Sequence, residues 1–580
     1  MLLLLLVRAL PALALGDVYF TGEELAKGGT AVAILQAGDL GLPYPLLNFA
    51  SHEGGGFVVA HLRALAFLLV GPNLVAVKLV ALCTSALVLL SAWKLVRHAF
   101  GLGAARVFAL LFVFCTRTFQ RGSLLSLGTH FETVGFLALI LHYGGRVAFE
   151  RGSGHRDALF LGLASGFGLY FSYQCAPAVL AVLLVLLWKR RDLLRRGELL
   201  TAAGGAFAGA LPLLLTWLSA GSRHLAVRGE EVFGGFIQNA RRAAVDLYLP
   251  LVSNLDGLHW IGFLIASGAA VAGGVVLYRR RDREPRAWRF GVLLLLYAAA
   301  FLGVYFASGL TRGSFTESFI LLRYSGLWLV GLCLASALLA RGLGAARQLV
   351  RRGSAAAVAV LAGVGVVDVA RLTGSGPGLD PVANAKLLLR TRGYSYEEYI
   401  PELVYKLPGS PQEKARVLAR FDDDPALLYP EIIFSIFTIH RRPELEVALE
   451  TCRALSDAED WKLGLLGLGE TLYAGTRRSI PDAFEWIGQI DPEYRPYLAE
   501  AVGRFGTRNR YVVHVLKADL GQQVPAGWQD RYYYGVGLKV YRTFVLDPEG
   551  AREYVEGTGP HIREPLRRGL RELGGIQLLE

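Results

Sequence analysis

Long apolar runs interrupted by short clusters of arginine and lysine dominate the first 372 residues, and the pattern changes abruptly beyond them. Runs suited to crossing a bilayer cover 2–15, 74–97, 103–119, 127–148, 157–172, 176–189, 199–219, 259–278, 289–307, 321–340 and 354–372. A helix rises about 1.5 Å per residue, so about 20 residues match a hydrocarbon core of about 30 Å, and several of these runs lie near the lower limit. Basic loops recur at every second connection: Lys94 to Arg106, Arg146 to Arg156, Lys189 to Arg196, Arg279 to Arg289 and Arg341 to Arg352. Loops rich in lysine and arginine face the cytoplasm.

One more apolar run, 57–71, would reverse this alternation if it crossed. It is therefore expected to lie as a helix at the outer interface, with His61 and Arg63 toward the headgroups. The result is eleven spans, an N-terminus inside, and long outer loops at 17–73 and 220–258. Ala12-Leu13-Ala14 resembles a signal-peptidase site, but no basic stretch precedes it and Arg8 falls inside the apolar run. Leu2 to Leu15 is accordingly read as the first transmembrane helix rather than a signal peptide.

Past a linker at 373–395 the composition becomes that of a soluble protein. Aromatic-rich helices are expected to begin near Tyr396, Ala426, Trp461, Tyr494, Asp530 and His561, a spacing of about 33 residues typical of helix-pair repeats. Second helices are expected at 443–455, 480–490 and 510–520, and PELVYKL from Pro401 and PEIIFSI from Pro430 look like copies. The expected architecture is all-α: a polytopic transmembrane bundle over 1–372, then an extracytoplasmic helical-repeat domain over 396–580. The repeat resembles tetratricopeptide-type solenoids, whose concave surface suits a protein partner. An irregular helical bundle is the alternative for this part.

Composition agrees. Of 580 residues 53% are hydrophobic and 19% charged, against about 25% charged in soluble domains, and the mean hydropathy is +0.41. The net charge of +12 reflects the basic loops, so it sets topology and implies no nucleic-acid partner. The five cysteines include no CxxC pair, and neither a zinc site nor a required disulfide is expected. There is no P-loop, HExxH or dinucleotide fingerprint. GAFAGALP sits inside a span, where small residues serve helix packing. Gly464, Gly467, Gly469, Gly535 and Gly537 are expected to allow close helix contact.

Candidate chemistry concentrates in the first outer loop. Asp17, Glu23 and Glu24 follow a span end. A carboxylate at a shielded membrane surface can act as general base on an acceptor hydroxyl; two glutamates also suit the first turn of a helix, where its dipole favours negative charge. His52 and Glu53 precede Gly54-Gly55-Gly56, a run that lets backbone approach a ligand closely. Gly128, Thr129, His130 and Glu132 lie at the outer end of a span, and ionisable groups at membrane depth are functional candidates. Arg323 suits a lipid-linked phosphate through bidentate bonding, or, with Tyr324, headgroup anchoring. Arg117 and Arg121 are weaker candidates of the same kind.

The order of these features resembles the GT-C membrane glycosyltransferases, in particular relatives of the protein O-mannosyltransferase and lipid A aminoarabinose transferase group. The resemblance is carried by the acidic pair in the first outer loop and the run ending LLVG. It continues through AVKLVALCTSALVLLSAWKLVRHAFG, LLSLGTHFETVGFLALIL, GLASGFGLYFSYQ, AGGAFAGALPLLLTW and ILLRYSGLWLV, and so covers roughly 1–372. It implies an enzyme that moves a sugar from a polyprenyl-phosphate donor to an acceptor on the outer face of a membrane, here a bacterial inner membrane. It also implies that Glu23 stands where the family carries its catalytic aspartate, with Glu24 on the acidic residue that follows. The carboxylate is kept but extended by one methylene. The membrane lipid and the lipid-linked sugar are the expected partners; a divalent metal could assist, but no ligand set is defined. A non-catalytic membrane scaffold binding proteins through the repeat domain is the alternative. A transporter ranks last, because charges sit at span ends and no inverted repeat is visible.

Overall fold

The computed structural model describes residues 2–15, 28, 31, 34–35, 54–71, 74–115, 117–150, 154–189, 197–220, 257–307, 325–374, 404, 409–420, 425–438, 444–475, 479–505, 520–544 and 553–572. Helix is the only regular secondary structure among them. The linker at 373–395 falls almost wholly outside them, as does the expected helix at 510–520.

The predicted spans and the run expected at the interface appear as helices: α1 (Leu2–Leu15), α2 (Gly54–Val70), α3 (Leu74–Phe100), α4 (Leu102–Val113), the short α5 (Arg117–Gly122), α6 (Thr133–Phe149), α7 (His155–Phe171), α8 (Ala176–Lys189), α9 (Glu198–Ala220), α10 (Gly257–Arg279), α11 (Pro285–Ala307), α12 (Ser325–Leu343) and α13 (Gln348–Gly374). Five of them, α3, α9, α11, α12 and α13, contain stretches long and apolar enough to cross a membrane by length and composition. The chain is an integral membrane protein. Its core is built by α3, α4, α6, α8, α11 and α12, where Phe108, Phe112, Ile140, Phe290 and Tyr297 are fully buried. Leucines such as Leu87, Leu184 and Leu187 stay outside, as a lipid-facing surface requires.

Helix pairing follows the small residues. A Cβ at Gly166 of α7 would overlap the Ala206 carbonyl of α9, and a Cβ at Gly209 of α9 would crowd the Leu163 carbonyl of α7. Two backbones without side chains between them approach closely, the usual means of holding helices together in lipid, where the hydrophobic effect gives no drive.

Two predicted spans need correction at the ends that face each other. The run 103–119 is not one helix, since α4 ends at Val113 and the short α5 begins at Arg117, and 127–148 is helical only from Thr133. Apart from α5, the chain described between them is irregular, and the stretch carries the buried polar residues Gln120, Ser123 and Ser126 and the turn at Gly128. Irregular backbone survives at membrane depth when enclosed by protein.

Helix α2 also differs from expectation. Arg63, expected to reach the headgroups, is 0% exposed, whereas Leu62, Leu65, Leu68 and Leu69 face outward. A charge is more costly in hydrocarbon than a leucine, so a lipid-exposed helix turns its arginine inward. His61 is half-buried, with Nδ1 3.0 Å from the Phe57 carbonyl.

The C-terminal part contains α14 (Pro411–Leu418), α15 (Pro425–Thr438), α16 (Leu445–Arg453), α17 (Gly464–Gly475), α18 (Ile480–Gly488), α19 (Arg495–Phe505), α20 (Gln529–Phe544) and α21 (Pro560–Glu572). Ser410 and Glu413 cap α14 reciprocally: the Ser410 hydroxyl accepts the Glu413 N–H at 3.2 Å and the Glu413 carboxylate accepts the Ser410 N–H at 2.7 Å. The helices α15, α17, α19, α20 and α21 each pack on the next, around Ile432, Ile433, Leu468, Leu498, Tyr532 and Leu566. Gly535 meets the Glu500 carbonyl at one of these crossings. The described helices fall into two compact units, α1–α13 and α14–α21.

Candidate functional site

The irregular stretch from Phe114 to Glu132 is where polar chemistry gathers in the membrane unit. Its backbone leaves the α4 ladder at Phe114, and every carbonyl so released needs a donor, because lipid offers none. Buried side chains from distant helices supply them. Arg8 of α1, 1% exposed, donates to the Ser123 hydroxyl at 2.7 Å, to the Val113 carbonyl at 2.8 Å and to the Phe112 carbonyl at 3.1 Å. Arg63 of α2 donates to the carbonyl and the hydroxyl of Ser126, both at 2.6 Å. Lys78 of α3 reaches the Leu124 carbonyl at 3.1 Å, and the Ser85 hydroxyl donates to the Ser123 carbonyl at 2.5 Å. Gln120 ties the stretch to α13 through the Gly365 carbonyl at 2.9 Å.

Gly128 turns the chain into α6. Its φ of +84° lies in the left-handed region that glycine alone adopts without penalty. The Glu132 carboxylate accepts its N–H at 3.1 Å, while Gln174 donates to the Thr129 carbonyl at 2.8 Å and Ser172 to the same oxygen at 3.3 Å. Gly55 abuts this turn: a Cβ there would overlap the Gly128 carbonyl, and a Cβ at Gly54 would strike the Tyr170 ring. The Gly54-Gly55-Gly56 run thus forms the first turn of α2. The run brings the α2 backbone close to the Gly128 backbone.

Of the candidate residues singled out in the sequence, the structure describes Gly128, Thr129, His130 and Glu132. His130 and Glu132 are buried, at 8% and 5% exposure, and Arg63 lies within electrostatic reach of the Glu132 carboxylate. Glu132 Oε1 is engaged by Gly128, and Oε2 has no hydrogen-bond partner among the described residues. Asp17, Glu23, Glu24, His52, Glu53, Arg323 and Tyr324 lie outside the described residues, as do the side chains of Arg117 and Arg121. No group of three or more His, Cys, Asp or Glu side chains that could hold a metal occurs among the described residues.

Arg8, Lys78, Ser123, Ser126 and Gln174 belong to this site and were not singled out for it. The signal for two of them was available. A lone Arg or Lys within an apolar run, as Arg8 in α1 and Lys78 in α3, must turn inward to a polar partner. Three basic side chains from three helices thus converge on the stretch from Phe112 to Ser126.

Comparison with known proteins agrees with this region. Residues 55–217 match the family described as dolichyl-phosphate-mannose-protein mannosyltransferase, a segment that runs from the first turn of α2 through the Gly128 turn to the α7/α9 pair. This bears out the resemblance to GT-C membrane glycosyltransferases over the matched residues. Among solved structures, the crystal structure of ArnT from Cupriavidus metallidurans bound to undecaprenyl phosphate aligns with a TM-score of 0.41 and 12% identity, covering 98% of this chain and 87% of that one. No curated protein matches the chain.

Proposed function

We propose that the chain is a polyprenyl-phosphate-dependent membrane glycosyltransferase acting at the membrane face where the Gly128 turn lies. The observation that carries this reading is the family match over 55–217, which takes in Arg63, Lys78, Gly128, His130 and Glu132. The acceptor nucleophile attacks the anomeric carbon of the donor sugar from the face opposite the phosphate. The bond from that carbon to the phosphate oxygen breaks, and polyprenyl phosphate leaves with the electron pair. The acceptor proton passes to a carboxylate base, the role assigned to Glu23, with Glu24 and Asp17 beside it. Arg323 and Tyr324 bind the departing phosphate, and His52, Glu53, His130 and Glu132 line the sugar or acceptor site. The outer face, the bacterial inner membrane and an extracytoplasmic helical-repeat domain that recruits the acceptor complete the proposal.

The experiment is to incubate purified protein with a panel of polyprenyl-phosphate sugars and a cell-envelope extract as the source of acceptor, and to measure release of free polyprenyl phosphate. Release from one donor supports the reading. Binding of a protein partner with no binding of any donor would favour the scaffold alternative, for which the Glu at the family's Asp position is the motivating observation.

A further inference from the structure

Helix α6 has a second polar end. About 20 Å along its axis from Thr133, Arg146 faces Lys94 and Arg97 of α3 and Arg286 of α11 across an open cavity of about 330 Å³. Two carboxylates outside the cavity lining fix Arg146 and Arg286. Glu150 lies 3.0 Å from Arg286, 3.5 Å from Arg146 and 2.8 Å from His98, and Asp157 holds Arg146 at 2.9 Å. Four permanent cations thus face two carboxylates. Lys94 donates to the Tyr143 hydroxyl at 2.6 Å, and Arg97 has no ion pair among the described residues. His142 also lines the cavity. It is 1% exposed, and neither ring nitrogen has a hydrogen-bond partner among the described residues. A buried imidazole without a partner is costly unless a ligand completes it.

We propose that this cavity binds a phosphate-bearing anion, at the end of the bundle opposite the Gly128 turn. Guanidinium groups held by carboxylates keep N–H donors in a planar fork that matches two phosphate oxygens. The imidazole of His142 adds one further donor at the base. Trp93 lines the same cavity, and Leu87 and Leu90 are exposed within two turns of Lys94 on α3. The site therefore adjoins a lipid-facing surface at headgroup level, where Trp, Lys and Arg collect. The phosphate can come from an anionic lipid headgroup or from a soluble anion. The site is independent of the transferase reading.

The test titrates the purified full-length protein in neutral detergent with short-chain phosphatidylglycerol, inorganic pyrophosphate or short-chain phosphatidylcholine, and reads the thermal unfolding midpoint. Phosphatidylglycerol or pyrophosphate raises the midpoint saturably and phosphatidylcholine does not. A response to phosphatidylglycerol alone identifies a headgroup site; a response to pyrophosphate as well identifies a site open to soluble anions. Arg97→Gln, an exposed position that leaves the ion pairs intact, raises the half-saturating concentration roughly tenfold, the loss expected for one charge-assisted hydrogen bond. No saturable rise with either anion, an equal rise with phosphatidylcholine, or an unchanged titration in Arg97→Gln overturns the proposal.

Discussion

Arg63 and Ser126 are joined twice, through the Ser126 carbonyl and its hydroxyl, both 2.6 Å from one guanidinium nitrogen. The pair ties α2 to the irregular turn before α6. Hydrogen bonds to charged groups are worth about 1.5–3 kcal/mol each, and removing the donor strands a buried carbonyl. Arg63→Met is therefore expected to lower stability by about 3 kcal/mol, read as the thermal unfolding midpoint in detergent. Ser126→Ala removes the hydroxyl and leaves the carbonyl bond, so it should cost less.

Gly128 and Gly101 share a positive φ, +84° and +92°, but only Gly128 is crowded; nothing lies within 4 Å of a Cβ at Gly101. Gly101→Ala should cost about 1–2 kcal/mol, the strain of a left-handed alanine alone. Gly128→Ala and Gly55→Ala must in addition push two backbones apart, and both should yield little folded protein. Comparing the three variants by size-exclusion chromatography and thermal unfolding separates strain from collision.

The α7/α9 pair offers a test of membrane packing. Gly166→Leu places a side chain against the Ala206 carbonyl and should separate the helices. His155 of α7 and Thr201 of α9 lie 2.9 Å apart, and cross-linking between cysteines introduced at these two positions should then fall relative to the same cysteine pair without Gly166→Leu.

Glu284 lies in the connection between α10 and α11, outside the spans. The Arg341 side chain donates to its carboxylate, from Nε at 3.1 Å, and that hydrogen bond holds its pKa below the usual carboxylate range. A depressed pKa contributes stability that is present above the unfolded value, about 4.3, and is lost as pH falls through the lowered folded value. Both side chains are partly exposed, so Glu284→Gln should cost less than about 1 kcal/mol at pH 7. The difference from the parent should vanish at pH values below the lowered pKa, when thermal midpoints are compared across a pH series.

Much of the fold was legible because hydrophobicity alone places spans. Helices α15, α17, α19, α20 and α21 likewise begin within a few residues of the positions expected from their aromatic starts. What periodicity could not give was the shape of the 114–132 stretch, whose carbonyls are satisfied by Arg8, Arg63 and Lys78 from elsewhere in the chain. Hydropathy treated 127–132 as part of a helix because Leu127 and Phe131 are apolar, although Gly128 must turn there. The same limit misdirected Arg63, since an interfacial helix and a lipid-facing helix have similar residues but opposite orientation. Glu23 and its neighbours were singled out through resemblance rather than pattern, and they lie outside the described residues.

The most direct test of the proposed activity compares the parent protein with Glu23→Gln, using the polyprenyl-phosphate sugar that the donor panel identifies with the same cell-envelope extract, and measuring polyprenyl phosphate released per protein. The account predicts release by the parent protein and a fall of about 10²–10⁴-fold in the variant, the usual contribution of a general base, with an unchanged thermal midpoint. Equal release by Glu23→Gln would contradict the role of Glu23, and no release from any donor by the parent protein would contradict the transferase itself.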